Sequence, residues 1–193
     1  MEFTLLLIKL PATFLCIGFV VRFLGQIGRA DFYNPLGQTV LSLTNWLIMP
    51  LRKVIPSIGK MDISCFVAIY ITQLAFGALV LVITNNTNVL LTPQFFMVAA
   101  LSIAAAFITV LYVSMIIMGI ASFILAGQHN PFISFINQYL EPFISPFRKL
   151  NIQVGVLDLS FLVAVFALLG IKMLVIIPVA QMLGFGQGLF FGL

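Results

Sequence analysis

Between Asp62 and Glu141 the chain carries no aspartate, glutamate, lysine or arginine at all, and this uncharged run limits the fold more than any other feature. Water-soluble domains devote about 25% of their residues to charged side chains. Here the figure is 7%, against 62% hydrophobic. A soluble fold of 193 residues has no way to keep such a run out of water, so lipid is its solvent.

A helix needs about 20 mainly apolar residues to cross about 30 Å of hydrocarbon with every backbone group paired internally. Four segments qualify: about 3–24, 63–84, 95–120 with a helical extension to about 126, and 159–180. Thr92 reads as an N-cap for the third, with Pro93 at the first helical position, where a missing N–H costs nothing. The first segment lacks the basic n-region and small-residue cleavage site of a signal peptide, so it is expected to stay as a span. The connections 25–61 and 127–157 hold nearly all the charge, whereas Asn85 to Gln94 is polar and uncharged. The positive-inside rule then puts both long connections in the cytoplasm, with both termini and the Asn-rich turn outside. Lys9, near the outer end of the first span, is expected to snorkel outward or pair within the bundle.

A formal charge of +4 and a pI near 9.3 would suggest nucleic acid in a soluble protein. Location decides otherwise. Arg22, Arg29, Arg52, Lys53, Lys60, Arg148 and Lys149 flank or lie between hydrophobic spans and read as orientation signals and contacts for anionic lipid headgroups. No aromatic and basic reading surface accompanies them, so no direct nucleic-acid partner is expected. Cys16 and Cys65 fall in apolar runs without metal or haem spacing and read as small apolar fillers. His129 is the only histidine and has no cysteine or carboxylate at metal spacing, and the Gly-x-Gly-x-Gly at 184–188 follows no strand. No catalytic residue, metal or cofactor is expected.

Shifted by 96 residues, the chain matches itself without a gap. Asn34 and Pro35 fall on Asn130 and Pro131; Pro50, Arg52 and Lys53 on Pro146, Arg148 and Lys149; Gly59, Asp62 and Ser64 on Gly155, Asp158 and Ser160. Most of these are not greasy residues, so shared hydrophobicity does not explain the match. The expected architecture is all-α and polytopic: residues 1–90 form one unit of span, cytoplasmic segment and span, and 91–193 form a second. With an even number of spans per unit, the copies are parallel and related by a pseudo-two-fold axis along the membrane normal.

Each cytoplasmic segment predicts an amphipathic helix lying in the headgroup plane. Phe132, Ile133, Phe135, Ile136, Tyr139, Leu140 and Phe143 have helical spacing in the second copy; Leu36, Val40, Leu43 and Leu47 have it in the first, with Trp46 suited to the interface. Asn34-Pro35 and Asn130-Pro131 read as helix starts, and Pro50 and Pro146 as stops. Arg52-Lys53 and Arg148-Lys149 then complement the helix C-terminal dipoles and reach lipid phosphates. Asp62 with Ser64, and Asp158 with Ser160, read as caps of the spans that follow. The sharper expectation pairs Asp62 with Arg52 and Asp158 with Arg148 as two equivalent latches, turned at Gly59 and Gly155. Within the hydrocarbon, Lys172 is expected to extend its stem to the outer headgroups, and Gln73 to bond across to another helix.

The runs Asp31-Phe32-Tyr33-Asn34-Pro35, Pro50-Leu51-Arg52-Lys53-Val54-Ile55-Pro56 and Gly59-x-x-Asp62-x-Ser64 resemble the bacterial YggT family of small integral membrane proteins. The resemblance spans roughly positions 5 to 185, and the second copy departs from it with Ile152 where the first has Pro56. It implies the inner membrane of a Gram-negative bacterium and no settled activity. It also implies roles in organisation or assembly, since plastid relatives are associated with cofactor assembly on a membrane cytochrome and nucleoid distribution, and bacterial ones with division or osmotic tolerance. Two functions follow as expectations. One is a non-enzymatic scaffold that holds lipid, a membrane or cytoplasmic protein, or a second copy through its cytoplasmic segments. The alternative is a small ion transporter or channel subunit with Gln73 and Lys172 on its path.

Overall fold

Helix starts are set by short polar signals at the edges of apolar runs. The computed structural model describes residues 2–57, 62–124, 130–149, 153–154, 157–158, 160–185 and 188–193, with the backbone alone at 2, 4, 122, 123, 153, 154, 157 and 158; its helices are α1 (Glu2–Ile27), α2 (Pro35–Val54), α3 (Ile63–Ile83), α4 (Pro93–Ile124), α5 (Pro131–Arg148), α6 (Ser160–Ile171) and α7 (Ile177–Met182), of which α2, α3 and α5 open on such signals. The Asn34 side chain accepts from the Leu36 N–H and the Asn130 side chain from the Phe132 N–H, each ahead of a proline. Pro93 opens α4, although the Thr92 hydroxyl donates back to the Val89 carbonyl at 2.7 Å.

Leu5–Ile27, Ile63–Ile83, Pro93–Ala121 and Ser160–Met182 are long and apolar enough to cross a membrane. The last consists of α6, a π-helical stretch Lys172–Ile176 and α7. Pro178 explains the wide turns: it cannot donate to Leu174, and the Ile177 N–H reaches five residues back to the Lys172 carbonyl. A two-residue antiparallel pair, β1 (Gln153–Val154) and β2 (Leu157–Asp158), precedes α6.

Both amphipathic helices stand at the end of the bundle where α1 and α4 finish and α3 and α6 begin. They are part of the core. Val40 and Ile48 of α2 and Phe135, Tyr139, Leu140 and Ile144 of α5 are buried with Phe19 and Phe23 of α1, Ile69 of α3 and Met115 of α4. Each large side chain brought there from water contributes about 1.5–3 kcal/mol. Between the spans no such drive exists, and close approach at small residues replaces it. A Cβ added to Gly77 would lie 2.5 Å from the Phe190 ring, and one on Gly192 would lie 2.7 Å from the α4 backbone at Ala105 and Ala106. Phe190 and Phe185 thereby join Leu81, Phe95 and Val98 in a second core at the opposite end.

Two local expectations are corrected. Pro50, Pro142 and Pro146 lie inside α2 and α5, and α2 runs on to Val54, where the Ile55 N–H reaches the Leu51 carbonyl. Pro50 and Pro146 are exposed, so the carbonyls that they leave unbonded four residues back cost little, and neither proline stops its helix. Leu43 is half exposed; the buried stripe of α2 runs through Gly37, Val40, Thr44 and Ile48.

Candidate functional site

The polar residues at this end divide into two groups. Asp62 caps α3 by accepting from the Ser64 N–H at 3.1 Å, and its other oxygen lies 2.7 Å from Arg52 Nε and 2.5 Å from Nη2. Its own N–H donates to the Gln26 side chain of α1 at 3.3 Å. Burial alone would raise the Asp62 carboxyl, but the hydrogen bond and charge of Arg52, with the hydrogen bonds from Ser64, hold it below the usual carboxylate range. Arg52 is thus committed to fixing the end of α2 on the start of α3.

In the second copy Arg148 Nη1 donates to both carboxylate oxygens of Glu141, two turns earlier on α5, at 2.9 and 2.7 Å. The Asp158 side chain and Gly155 lie outside the described residues, as do Gly59, Lys60 and His129, so the second latch and both glycine turns do too. Ser160 opens α6 and is buried, as is Ser64. Both arginines of the repeated Arg-Lys step are therefore held by acids of their own chain, while Lys53 and Lys149 are exposed.

Arg22 was grouped by sequence with the basic flanks, yet it is 2% exposed. It donates through Nη1 to Thr44 Oγ1 at 2.7 Å and Asn45 Oδ1 at 2.8 Å, tying α1 to α2, and its Nε is buried without a partner. The second repeat uses a neutral bridge at shifted positions, one turn earlier on α4 and one residue earlier on α5, Ser114 to Tyr139 at 2.6 Å. The two amphipathic helices are themselves joined. Asn34 Nδ2 donates to the Pro131 carbonyl at 2.7 Å, and the Asp31 N–H to the Gln138 side chain at 2.7 Å. Gly28 makes this possible, because a Cβ there would lie 2.5 Å from the Gln138 carbonyl oxygen and the Tyr139 Cα.

Gln73 and Lys172 are not brought together. Gln73, fully buried on α3, closes both hydrogen bonds of its amide on the backbone of Phe191, at 2.9 and 3.0 Å, and not on another helix. The Phe190 ring in the Gly77 gap places that backbone within reach. Lys172 does not extend to outer headgroups: helical side chains lean toward the N-terminus, and its ammonium donates to Thr109 of α4 at 3.0 Å, 5.5 Å from the Tyr112 ring centre. Cys16 and Cys65 are free and buried.

Four apolar spans in two parallel units, each enclosing an amphipathic helix whose polar ends are locked to the next span or to its twin, define a polytopic membrane protein of duplicated two-span design. The chain belongs to the CCB3/YggT family, whose model matches residues 1–83 and again 97–179, the same 96-residue offset as the internal repeat. It is 36% identical to an uncharacterised Pseudomonas aeruginosa protein, over 88% of this chain and 86% of that one. It is 32% identical to an uncharacterised Vibrio alginolyticus protein encoded in the proC 3' region, over 75% and 77%, and 28% identical to the uncharacterised YggT of Escherichia coli K12, over 80% and 79%. No solved structure matches.

Proposed function

We propose that the protein is a non-enzymatic scaffold or assembly factor of the bacterial inner membrane, with α2, α5 and the long connections on the cytoplasmic face. The observation that carries this reading is the division of labour in the repeated Arg-Lys step. Arg52 and Arg148, though partly exposed, are each paired with an acid of the chain, and Lys53 and Lys149 stand exposed beside them at equivalent positions of the two repeats. Beside Lys53 the outer face of α2 carries Leu43, Trp46, Met49 and Val54, each at least half exposed. A cation beside an exposed apolar row with a tryptophan suits an interface where lipid headgroups or a partner protein are held. The lysines would thus do the holding and the arginines the shaping.

The transport alternative draws less support. Gln73 is closed on Phe191, and Lys172 is engaged by Thr109. The test sets the two readings against each other in cells that depend on the protein. Lys53→Gln with Lys149→Gln is expected to abolish its contribution at normal protein level, while Lys172→Leu preserves it. The reverse pattern, together with Lys172-dependent ion flux in liposomes, would overturn the scaffold. Labelling of Asn86→Cys from outside intact cells, with Ser57→Cys protected, checks the orientation.

A further inference from the structure

A groove of about 530 Å³ runs along the bundle between α1, α3 and α4, and apolar residues form its whole wall. Phe23 and Ile27 of α1, Phe66 of α3, Phe107 of α4 and Phe143 of α5 line it, and the exposed, small Ala100 and Ala104 keep its rim open. Because α1, α3 and α4 are spans, that rim opens sideways into hydrocarbon. An extended peptide has no place there, since its backbone would find no polar partner. A hydrocarbon chain needs none.

A basic residue follows closely in the chain on the α1 end of the groove. Ile27 is its last α1 residue; Gly28 is wedged on the α5 backbone at Gln138 and Tyr139, one turn before Phe143. The next residue, Arg29, is exposed and held at φ +51° by a turn in which the Ala30 N–H reaches the Gly25 carbonyl at 2.8 Å. Asp31, the nearest acid in the chain, has one carboxylate oxygen occupied by the Tyr33 N–H. We propose that the groove retains one acyl chain of an anionic phospholipid, with the lipid's phosphate set against Arg29. The site is separate from Lys53 and Lys149 and needs only that α1 and α4 cross the bilayer, so it stands or falls apart from the scaffold reading.

The test uses the full chain in nanodiscs doped with phosphatidylglycerol or phosphatidylcholine of identical acyl chains, each carrying a photoactivatable group on the chain. Adducts are expected to concentrate on Ile103, Phe107 and Phe143 over the exposed Phe166 and Leu174, with phosphatidylglycerol favoured about fivefold. Arg29→Gln should erase the headgroup preference and leave the adduct positions unchanged. Ala104→Leu, which narrows the rim, should deplete the groove adducts and spare those at Phe166. Adducts spread evenly over the lipid-facing helices, or no preference between the lipids, would overturn the proposal, as would a preference that survives Arg29→Gln.

Discussion

The Arg22 guanidinium and the Thr44 hydroxyl meet at 2.7 Å in the closed contact between the first span and α2. The hydroxyl also donates to the Val40 carbonyl at 2.6 Å, so it is oriented to accept from the arginine. At the corresponding positions 96 residues on, the second repeat has Met118 and Leu140. One repeat therefore ties its amphipathic helix down with a buried cation where the other has apolar residues at those positions and a neutral Ser114–Tyr139 bond nearby. Thr44→Val keeps the branched shape but strips Arg22 of its buried acceptor, and it is expected to cost about 1–3 kcal/mol. Arg22→Met with Thr44→Val should cost less than the two single changes added, because no buried charge remains unpaired. Unfolding in mixed micelles measures the cycle; strict additivity would mean that the bond does not hold α2.

Asp62 gives the protein a predictable acid response. Its carboxyl is held below the ordinary value near 3.9, so its contribution to stability is complete above that value and is lost as pH falls through the folded-state pKa. Arg52→Gln removes the main influence that opposes burial, so the Asp62 carboxyl rises from its lowered position. The variant should therefore be less stable than the parent at about pH 7, with the gap closing as acid protonates Asp62 in both. Thermal midpoints across that range in detergent test this, and a gap independent of pH would assign Arg52 a packing role alone.

Gln73 presents its whole amide to Phe191 in the manner of a neighbouring strand. Gln73→Leu fits the apolar setting but leaves a part-buried N–H and C=O on Phe191 without their partners, a loss of up to about 1–3 kcal/mol for each. The expected outcome is local. Residues 188–193 should come away from α3 and α4, so that Phe191→Cys reacts with a membrane-permeant thiol reagent far faster in the Gln73→Leu background. Unchanged reactivity would show that Phe190 in the Gly77 gap is enough to hold the segment.

The spans, the duplication and both Asn-Pro caps were legible because each rests on a local rule: length of apolar run, self-match and side-chain capping. Asp62 with Arg52 was legible for the same reason, as the turn between them is short. What escaped was anything decided by which face a helix turns inward. Leu43 fits the apolar rhythm of α2 as well as Val40 does, yet Gly37 and Thr44 are buried in its stead, since α1 approaches there with Gly18 only 3.2 Å from the Thr44 methyl, measured from a Cβ added at the glycine. Pro50 and Pro146 read as stops because proline breaks the ladder, but the carbonyls four residues back belong to the exposed Trp46 and Pro142, where the loss is tolerated. The Gln73 partner lies 118 residues away in a non-helical segment, and no periodicity points to it.

Two glycines give opposite expectations for the same substitution. At Gly28 an added methyl would sit 2.5 Å from the Gln138 carbonyl oxygen and the Tyr139 Cα, both backbone atoms that no rotamer change can move. Gly28→Ala must push the end of α1 off α5, which strains the Asp31 to Gln138 and Asn34 to Pro131 bonds that join the two amphipathic helices. The cost is that of overpacking, about 1–3 kcal/mol. At Gly170, inside α6, an added Cβ meets nothing within 4 Å. Gly170→Ala relieves the glycine penalty in a helix and should stabilise by up to about 1 kcal/mol. Thermal midpoints of the two variants should therefore move in opposite directions from the parent. If Gly28→Ala were as well tolerated as Gly170→Ala, α5 would have room to retreat from α1, and the two repeats would be joined through their spans and not through the amphipathic helices.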